Sequence, residues 1–367
     1  FRLKAPNAQK VQITGDFLPT KQIDTPVGKY DAPGVADLVK DDKGVWSFTS
    51  TNLSPELYSY NLILDGVKIV DPGSVYITRD ITSETNIFIL SDKKGDCGDL
   101  YTVNEVPHGN VQKVWYDSPT LKMQRRMTVY TPAGYDKGKD YPVLYLLHGA
   151  GGDEDAWTTL GRASQILDNL IATGKAKPMV VVMTNGNPNC QAAPGEWSAG
   201  MYVPSFYGYQ GAKAVATMDE SFPDVMNYVE SHYKVGKDKA HRAICGLSMG
   251  GGHSFDISRR FPNKFDYVGL FSAGLHVGKT GDFRSDFYKM LQEDEEAKQQ
   301  LATLFKNKPK LYWIGMGKTD FLYKSTAGLR RYFDEKGYKY TYMETEGGHI
   351  WRNWRVYLTE FAQKIFK

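Results

Sequence analysis

The sequence has no apolar run approaching the ~18 to 20 residues that span a bilayer as a helix, so a soluble protein is expected. Net charge is also scarce: 45 Lys and Arg stand against 42 Asp and Glu, leaving +3 with the histidines neutral. The basic residues are dispersed, with no Lys/Arg block and no basic helix stripe to follow a nucleic-acid backbone or an anionic membrane surface. Neutral molecules are the expected partners. The three cysteines, Cys97, Cys190 and Cys245, lack Cys-x-x-Cys spacing, which argues against a zinc or dithiol site, and any disulfide would leave one over. Cys245 lies in an apolar run and reads as a small core residue. No internal repeat or low-complexity tract stands out. The chain begins at Phe1, not Met, directly in a strand-like pattern, so a natural N-terminus further upstream is expected and compartment is not readable from this end.

At 367 residues the chain exceeds what most single cores support, and two domains are expected. Residues 1–92 read as short strands between turns, "VQITGDF", "GVWSFTS", "LYSYNLILDG" and "NIFIL", with "LDG" a hairpin signal and no helical period. A small antiparallel, all-β sandwich fits this spacing. The charged, glycine-containing "SDKKGDCGD" suggests a linker over 93–107. Beyond residue 140 apolar strands alternate with amphipathic helices. Ala156, Leu160, Ala163, Leu167 and Leu170 mark one helix face, and further helices are expected near 219–233, 249–261, 325–336 and 351–366. "YPVLYLLHG", "PMVVVMTNG", "HRAICGLS", "FDYVGLFSAG", "KLYWIGMG" and "KYTYMETEGG" are the strands between them. This alternation predicts a mostly parallel sheet flanked by helices, with ligands beyond the strand carboxyl ends.

"ICGLSMGGG" places Ser248 between two glycines where a strand ends and a helix begins. A nucleophile elbow requires that context, because the glycines let strand and helix approach around a strained serine and the helix N-terminus favours a developing oxyanion. A serine hydroxyl needs a base, and the base needs an acid to orient it. Asp320, after "LYWIGMGKT", and His349, in "EGGHIW", follow in the chain order of an α/β-hydrolase. Asp320 is otherwise a helix cap, with Glu344 and Glu346 as competing acids, and His349 is otherwise a surface loop histidine. His253 and His148 read as structural hydrogen-bonders. "HGAGG" at 148–152 offers the backbone N–H of Gly149 or Ala150 as one oxyanion donor, with Met249 as the other. A phosphate loop is disfavoured: "GLHVGKT" has its first glycine one residue too close to the lysine, and "HGAGG" has no Gly-Lys-Ser/Thr.

On "RRMTVYTPAGYD", "YPVLYLLHGAGGDEDAW", "GKAKPMVVVMTNG", "ICGLSMGGGHSF" and "GGHIWRNWR", residues 108–367 resemble the esterase D superfamily, most closely carbohydrate esterase family 1, which contains feruloyl and acetylxylan esterases. The resemblance implies an α/β-hydrolase fold, with Ser248 as nucleophile, His349 as base and the acid falling on Asp320. On "FRLKAPNAQKVQITGDF", "GVWSFTSTNLSPELYSYNLILDG" and "VDPGS", residues 1–92 resemble a family 48 carbohydrate-binding module, which implies an immunoglobulin-like sandwich. There Trp46, Tyr58 and Tyr60 either stack on sugars or, as their strand alternation favours, pack the core. Between Gly186 and Gly211 the aromatics Trp197, Tyr202, Phe206, Tyr207 and Tyr209 form a candidate wall for a planar acyl group, with Trp351 a further candidate. The same rings could instead pack their own domain.

The expected activity is therefore that of a serine esterase that releases ferulate from arabinoxylan through an acyl-enzyme, without metal or organic cofactor. An acetylxylan esterase, an enterochelin-type siderophore esterase and, more distantly, a mycolyltransferase-like acyltransferase share the chemistry. A carbohydrate-binding protein that has lost activity is the alternative class, against which the intact Ser248, Asp320 and His349 argue. The implied plant polymer makes a secreted or periplasmic location the expectation. Oligomeric state is left open.

Overall fold

The computed structural model describes residues 1–25, 28–211, 213–278 and 286–367. Lys279 and Thr280, which end the rejected "GLHVGKT" phosphate-loop candidate, lie outside the described residues. Two units divide at Asn104/Glu105.

In the first unit the "LDG" signal closes a hairpin. Asp65 and Gly66 both take positive φ, 48° and 88°, between the antiparallel strands Glu56–Leu64 and Val67–Ile69, as a primed turn requires. Glu56–Leu64 sits inside a six-stranded antiparallel sheet beside Ser83–Leu90 and Val11–Gly15, and a three-stranded sheet joins Arg2–Lys4, Val45–Ser47 and Val39–Lys40. Both sheets contribute to one core of Val11, Ile13, Leu38, Trp46, Tyr60 and Leu62, which makes the unit an all-β sandwich. Trp46, Tyr58 and Tyr60 are buried. Their polar tips are satisfied inside: the Trp46 indole N–H donates to the Ala5 carbonyl (2.9 Å), Tyr58 to Ser54 (2.9 Å) and Tyr60 to Asp71 (2.8 Å). These three rings are core, not a sugar platform.

The charged stretch after residue 90 is folded rather than extended. Asp96 caps a short helix, Cys97–Tyr101, that buries Tyr101 and brings Gly98 against the Leu90 carbonyl. Charge here reflects capping as well as solvent exposure, which is why it read as a linker.

The second unit is built on one eight-stranded sheet. Its strands are β1 (Asn110–Ser118), β2 (Met123–Thr131), β3 (Val143–Leu147), β4 (Val180–Thr184), β5 (Arg242–Leu247), β6 (Tyr267–Phe271), β7 (Leu311–Gly317) and β8 (Thr341–Thr345), in the order β1-β2-β4-β3-β5-β6-β7-β8. The strands from β3 to β8 pair in parallel, and β1 and β2 add an antiparallel edge. β3, β4, β5 and β6 are buried along their whole length, as expected of strands covered on both faces.

The helices of ten or more residues are α1 (Ala163–Ala172), α2 (Met218–His232), α3 (Met249–Arg260), α4 (Glu295–Lys306), α5 (Tyr323–Lys336) and α6 (Trp351–Ala362). The single helix face expected from Ala156 to Leu170 is broken. Ala156–Thr159 is a separate turn, and Arg162 at φ 52° redirects the chain before α1. α2 opens with a reciprocal Thr217/Glu220 capping box, and α5 is stopped by Gly337 at φ 68°. On one face of the sheet Tyr145, Ile244, Val268 and Leu270 pack with Phe222 of α2 and Phe255 of α3. On the other, Phe271 and Trp313 pack against Tyr357 and Phe361 of α6.

Phe255 of α3 is fully buried and meets Phe287, the first residue of the short helix Phe287–Glu293, edge-on at 5.5 Å. Phe255→Ala is expected to destabilise this unit by about 3 to 5 kcal/mol through lost burial and a cavity. Urea unfolding followed by tryptophan fluorescence checks this; an unchanged midpoint would contradict the packing described.

Candidate active site

Ser248 lies between β5 and α3 with φ 52° and ψ −115°, a conformation that costs a non-glycine residue about 1 to 3 kcal/mol. Backbone bonds on both sides hold it there. Its N–H donates to the Phe271 carbonyl (2.9 Å), and its own carbonyl accepts from Gly252 (3.0 Å) and Gly274 (2.9 Å). The flanking glycines are required by close approach: a Cβ on Gly246 would meet the Gly250 carbonyl at 2.6 Å, and one on Gly250 the carbonyl oxygens of Leu147 and His148 at 2.5 Å. The ends of β3 and β5 and the start of α3 therefore meet backbone to backbone, with Ser248 at the apex.

Asp320 follows β7 and His349 follows β8, so both lie on the sheet edge where β5 delivers Ser248. The two loops are tied together: Lys318 N–H donates to the Thr345 carbonyl (2.9 Å) and Thr319 N–H to the Gly347 carbonyl (3.0 Å). The His349 Nδ1 stands 2.9 and 3.1 Å from the two carboxylate oxygens of Asp320. Asp320 also accepts from the Leu322 N–H (2.9 Å), so one carboxylate shapes the turn before α5 and engages the imidazole. Burial pushes the Asp320 carboxyl upward, but the charge and hydrogen bond of His349 and the Leu322 N–H outweigh it and hold the group below the usual carboxylate range. The competing acids are engaged elsewhere, Glu344 by Tyr323 and Tyr342 and Glu346 by Lys318.

The imidazole is also gripped by rings that the sequence reading passed over. Phe321 lies 4.5 Å and Trp354 4.9 Å from it, centroid to centroid. Trp351 packs on Trp354 and Trp157, 5.2 Å from each, so the structure gives this pocket candidate a place in the support behind His349. Asn353 donates to the Gly348 carbonyl (2.9 Å) and fixes the loop itself.

Gly149 lies against the elbow: a Cβ there would be 3.2 Å from the Ser248 Cβ. Its carbonyl accepts from the Gly152 N–H (3.1 Å) and pairs with His148 Nδ1 (2.7 Å). Because a trans peptide points C=O and N–H in opposite directions, these bonds turn the Ala150 N–H away from that turn. Among the described residues the N–H groups of Gly149, Ala150 and Met249 have no protein acceptor, as oxyanion donors require. His148 is buried and neutral by geometry. Its Nε2 accepts from the Gly186 N–H (2.7 Å), so the proton sits on Nδ1, and burial lowers its basicity. It staples the Gly149 loop to the loop after β4.

The aromatic loop is anchored to the same region. Arg125, buried, donates to the carbonyls of Asn185 (2.6 Å), Asn187 (2.8 Å) and Cys190 (3.1 Å). Buried Glu154 accepts from Arg126 (2.7 Å), Asn185 (3.0 Å) and the Ala193 N–H (2.8 Å). Asn187 reaches the Gly152 carbonyl (3.0 Å), and Asn189 holds the Tyr209 carbonyl. Trp197 and Tyr209 pair edge to face at 5.1 Å. Tyr202, Phe206 and Tyr207 are 70%, 42% and 79% exposed, and no ring contact or hydrogen bond joins them to Ser248 or His349 among the described residues.

His253, on α3, is half-buried beside Gly186, and its Nδ1 atom is buried and unpartnered. Burial first, and then His148, push its pKa down to about 4. Between pH 6.5 and 4 the unfolded chain therefore binds a proton that the native chain refuses, and stability falls as pH falls through that window. Replacing it by Phe is expected to remove up to about 1.4 kcal/mol per pH unit of this loss. Urea unfolding of the wild type and His253→Phe at pH 7.5 and 5.0 measures it, and equal losses in both would contradict the burial argument.

The Esterase family model matches residues 118–365. The endo-1,4-beta-xylanase/feruloyl esterase of Xylanibacter ruminicola is 31% identical over 378 residues, an alignment that takes in 100% of this chain but only 44% of that protein. The chain thus spans less than half the length of that relative. The ferulic acid esterase of the anaerobic fungus Anaeromyces mucronatus has a similar structure, with a TM-score of 0.57 and 25% identity over 74% of this chain and 96% of that one. The enterobactin esterase of Shigella flexneri shares the fold alone, with a TM-score of 0.65 at 13% identity over 99% of this chain and 91% of that one. The chain belongs to the Esterase family and is a serine esterase, a hydrolase of carboxylic esters.

Proposed function

We propose that this esterase releases ferulate or a related hydroxycinnamate from a plant cell-wall polysaccharide through an acyl-enzyme on Ser248. The observation that carries the chemistry is the buried Asp320 carboxylate held by His349, on the sheet edge that presents the strained Ser248. His349 removes the serine proton as Ser248 Oγ attacks the ester carbonyl. Negative charge then develops on the carbonyl oxygen and is met by the Met249 N–H and an N–H of Gly149 or Ala150, each donor worth roughly 100- to 1000-fold in rate. The tetrahedral species collapses as His349 hands its proton to the departing sugar oxygen. Water, deprotonated by the same imidazole, frees the acid and restores the serine.

The acyl group follows from the feruloyl esterase relatives, supported by the exposed rings of Tyr202, Phe206 and Tyr207 on a loop anchored beside the Gly149 turn. A buried aromatic ring removes roughly 150 to 250 Å² from water, a gross gain on the order of 4 to 6 kcal/mol at about 25 cal/mol per Å². An acetyl group offers almost none of that. A polymeric plant substrate goes with secretion or a periplasmic location.

Initial rates on methyl ferulate and on acetylated xylan test the reading. Wild type is expected to prefer methyl ferulate, Ser248→Ala to abolish turnover, and Asp320→Asn to lower kcat by about 1000- to 10000-fold while leaving the fold intact. Acetate release alone would replace the feruloyl reading with an acetylxylan esterase. Inactivity on both would turn attention to catecholate siderophore esters.

A further inference from the structure

We propose that a groove between β1 and α2 is a docking site for a neutral polysaccharide chain, distinct from the site at Ser248. Its ligand class rests on the polysaccharide-ester reading above. The groove has a volume of about 350 Å³, with Trp115, Asp117, Gln124, Asn227 and Tyr228 among its lining residues. β1 lies four strand spacings from β5 in the sheet order, roughly 19 Å at about 4.8 Å per spacing, so an occupant here does not occlude the serine.

Trp115 is 43% exposed on the edge strand, and among the described residues its indole has neither a ring contact nor a hydrogen-bond partner in the protein. The side chains of Asp117, Gln124 and Asn227 likewise carry no protein partner there. A flat apolar ring ringed by unpaired carboxylate and amide groups matches a sugar, which presents a C–H face together with a rim of hydroxyls that donate and accept. The walls are rigid before any ligand arrives. Asp224 accepts from the Ser118 hydroxyl (2.7 Å) and the Thr120 N–H (3.0 Å), fixing the turn at the groove's end. Tyr228 and His232 are stacked at 3.9 Å, and His232 Nδ1 bonds the Tyr228 carbonyl (2.9 Å). Preorganised walls lower the ordering cost of binding.

Charge selects among ligands. Asp117 and Asp224 line the groove and neither Lys nor Arg does, so phosphate groups, nucleic acid and polyuronates meet repulsion without a counter-ion. A neutral chain of pentose or hexose rings meets none.

Native-gel affinity electrophoresis of the full chain in soluble neutral arabinoxylan, in polygalacturonate and in plain gel reads this binding independently of catalysis. Wild type is expected to be retarded by arabinoxylan and not by polygalacturonate. Trp115→Ala should raise the apparent Kd about tenfold or more, as loss of an aromatic anchor does. Asn227→Ala, on the opposite wall, should weaken binding in the same direction, with methyl ferulate hydrolysis and circular dichroism unchanged in both variants. Equal retardation of wild type and both variants, no retardation of wild type, or equal retardation by polygalacturonate would overturn the groove. Retardation that depends on Trp115 in a protein inert on methyl ferulate would keep the groove and overturn the acyl reading. Hydrolysis of methyl ferulate with retardation indifferent to Trp115 would do the reverse.

Discussion

The backbone of Ser248 is the constraint on which the second unit turns. An L-residue at φ 52° and ψ −115° persists only if its surroundings fix it from several directions. Here the fixing is done by backbone itself: the carbonyl of Phe271 at the end of β6 and the N–H groups of Gly252 and Gly274 bond the serine's peptide units. Side chains at Gly246 or Gly250 would separate β3, β5 and α3 and release the strain. The buried apolar strands on both sides supply the cohesion that offsets it. Sheet, glycines and helix are therefore one device that presents a hydroxyl.

The rest of the site is positioned by buried polar groups that leave little unsatisfied. Arg125, Glu154 and His148 spend their hydrogen-bonding capacity on backbone and amide partners around the Gly149 turn and the loop after β4. Buried charge is costly unless paired, and these groups meet that condition with short, multiple bonds. They restrict the backbone to one arrangement, which an oxyanion site needs because its donors must be aimed before charge develops. The aromatic loop beyond them is different in kind. It is tied down at its ends while Tyr202 and Tyr207 remain in solvent. Paired buried groups are concentrated around the Gly149 turn, and exposed apolar surface on the loop beyond it.

The parts most legible in the sequence were those with strict local rules. Ser248, Asp320 and His349 could be placed because glycines, strand ends and chain order mark such turns, and the structure brings Asp320 and His349 into direct contact. The helix across Ala156 to Leu170 was misread because apolar spacing does not register a single residue at positive φ, here Arg162. α4 was missed because only Ala297, Leu301 and Leu304 of "EEAKQQLATLFK" are buried, a stripe too thin to show through its charges. β1 and β2 precede the point where strand–helix alternation becomes visible, since an antiparallel edge has no intervening helix. The one signal of the buried network was two adjacent arginines inside the apolar "MQRRMTVYT", and a sequence does not reveal that Glu154 and three carbonyls wait for them.

The pairing of Asp320 with His349 shows how opposing electrostatic demands are reconciled. An acid that stabilises a developing imidazolium must stay ionised, yet it acts most strongly where water is excluded, and exclusion favours its neutral form. Asp320 is buried, so desolvation alone would raise its pKa; the Leu322 N–H and His349 reverse that balance. The imidazole is in turn held against rotation by Phe321 and Trp354, which present ring surface rather than competing hydrogen-bond acceptors. With Nδ1 committed to the carboxylate, Nε2 is the nitrogen left for the serine proton. The apolar rings thus do chemical work by omission: they offer the histidine no acceptor to compete with the carboxylate.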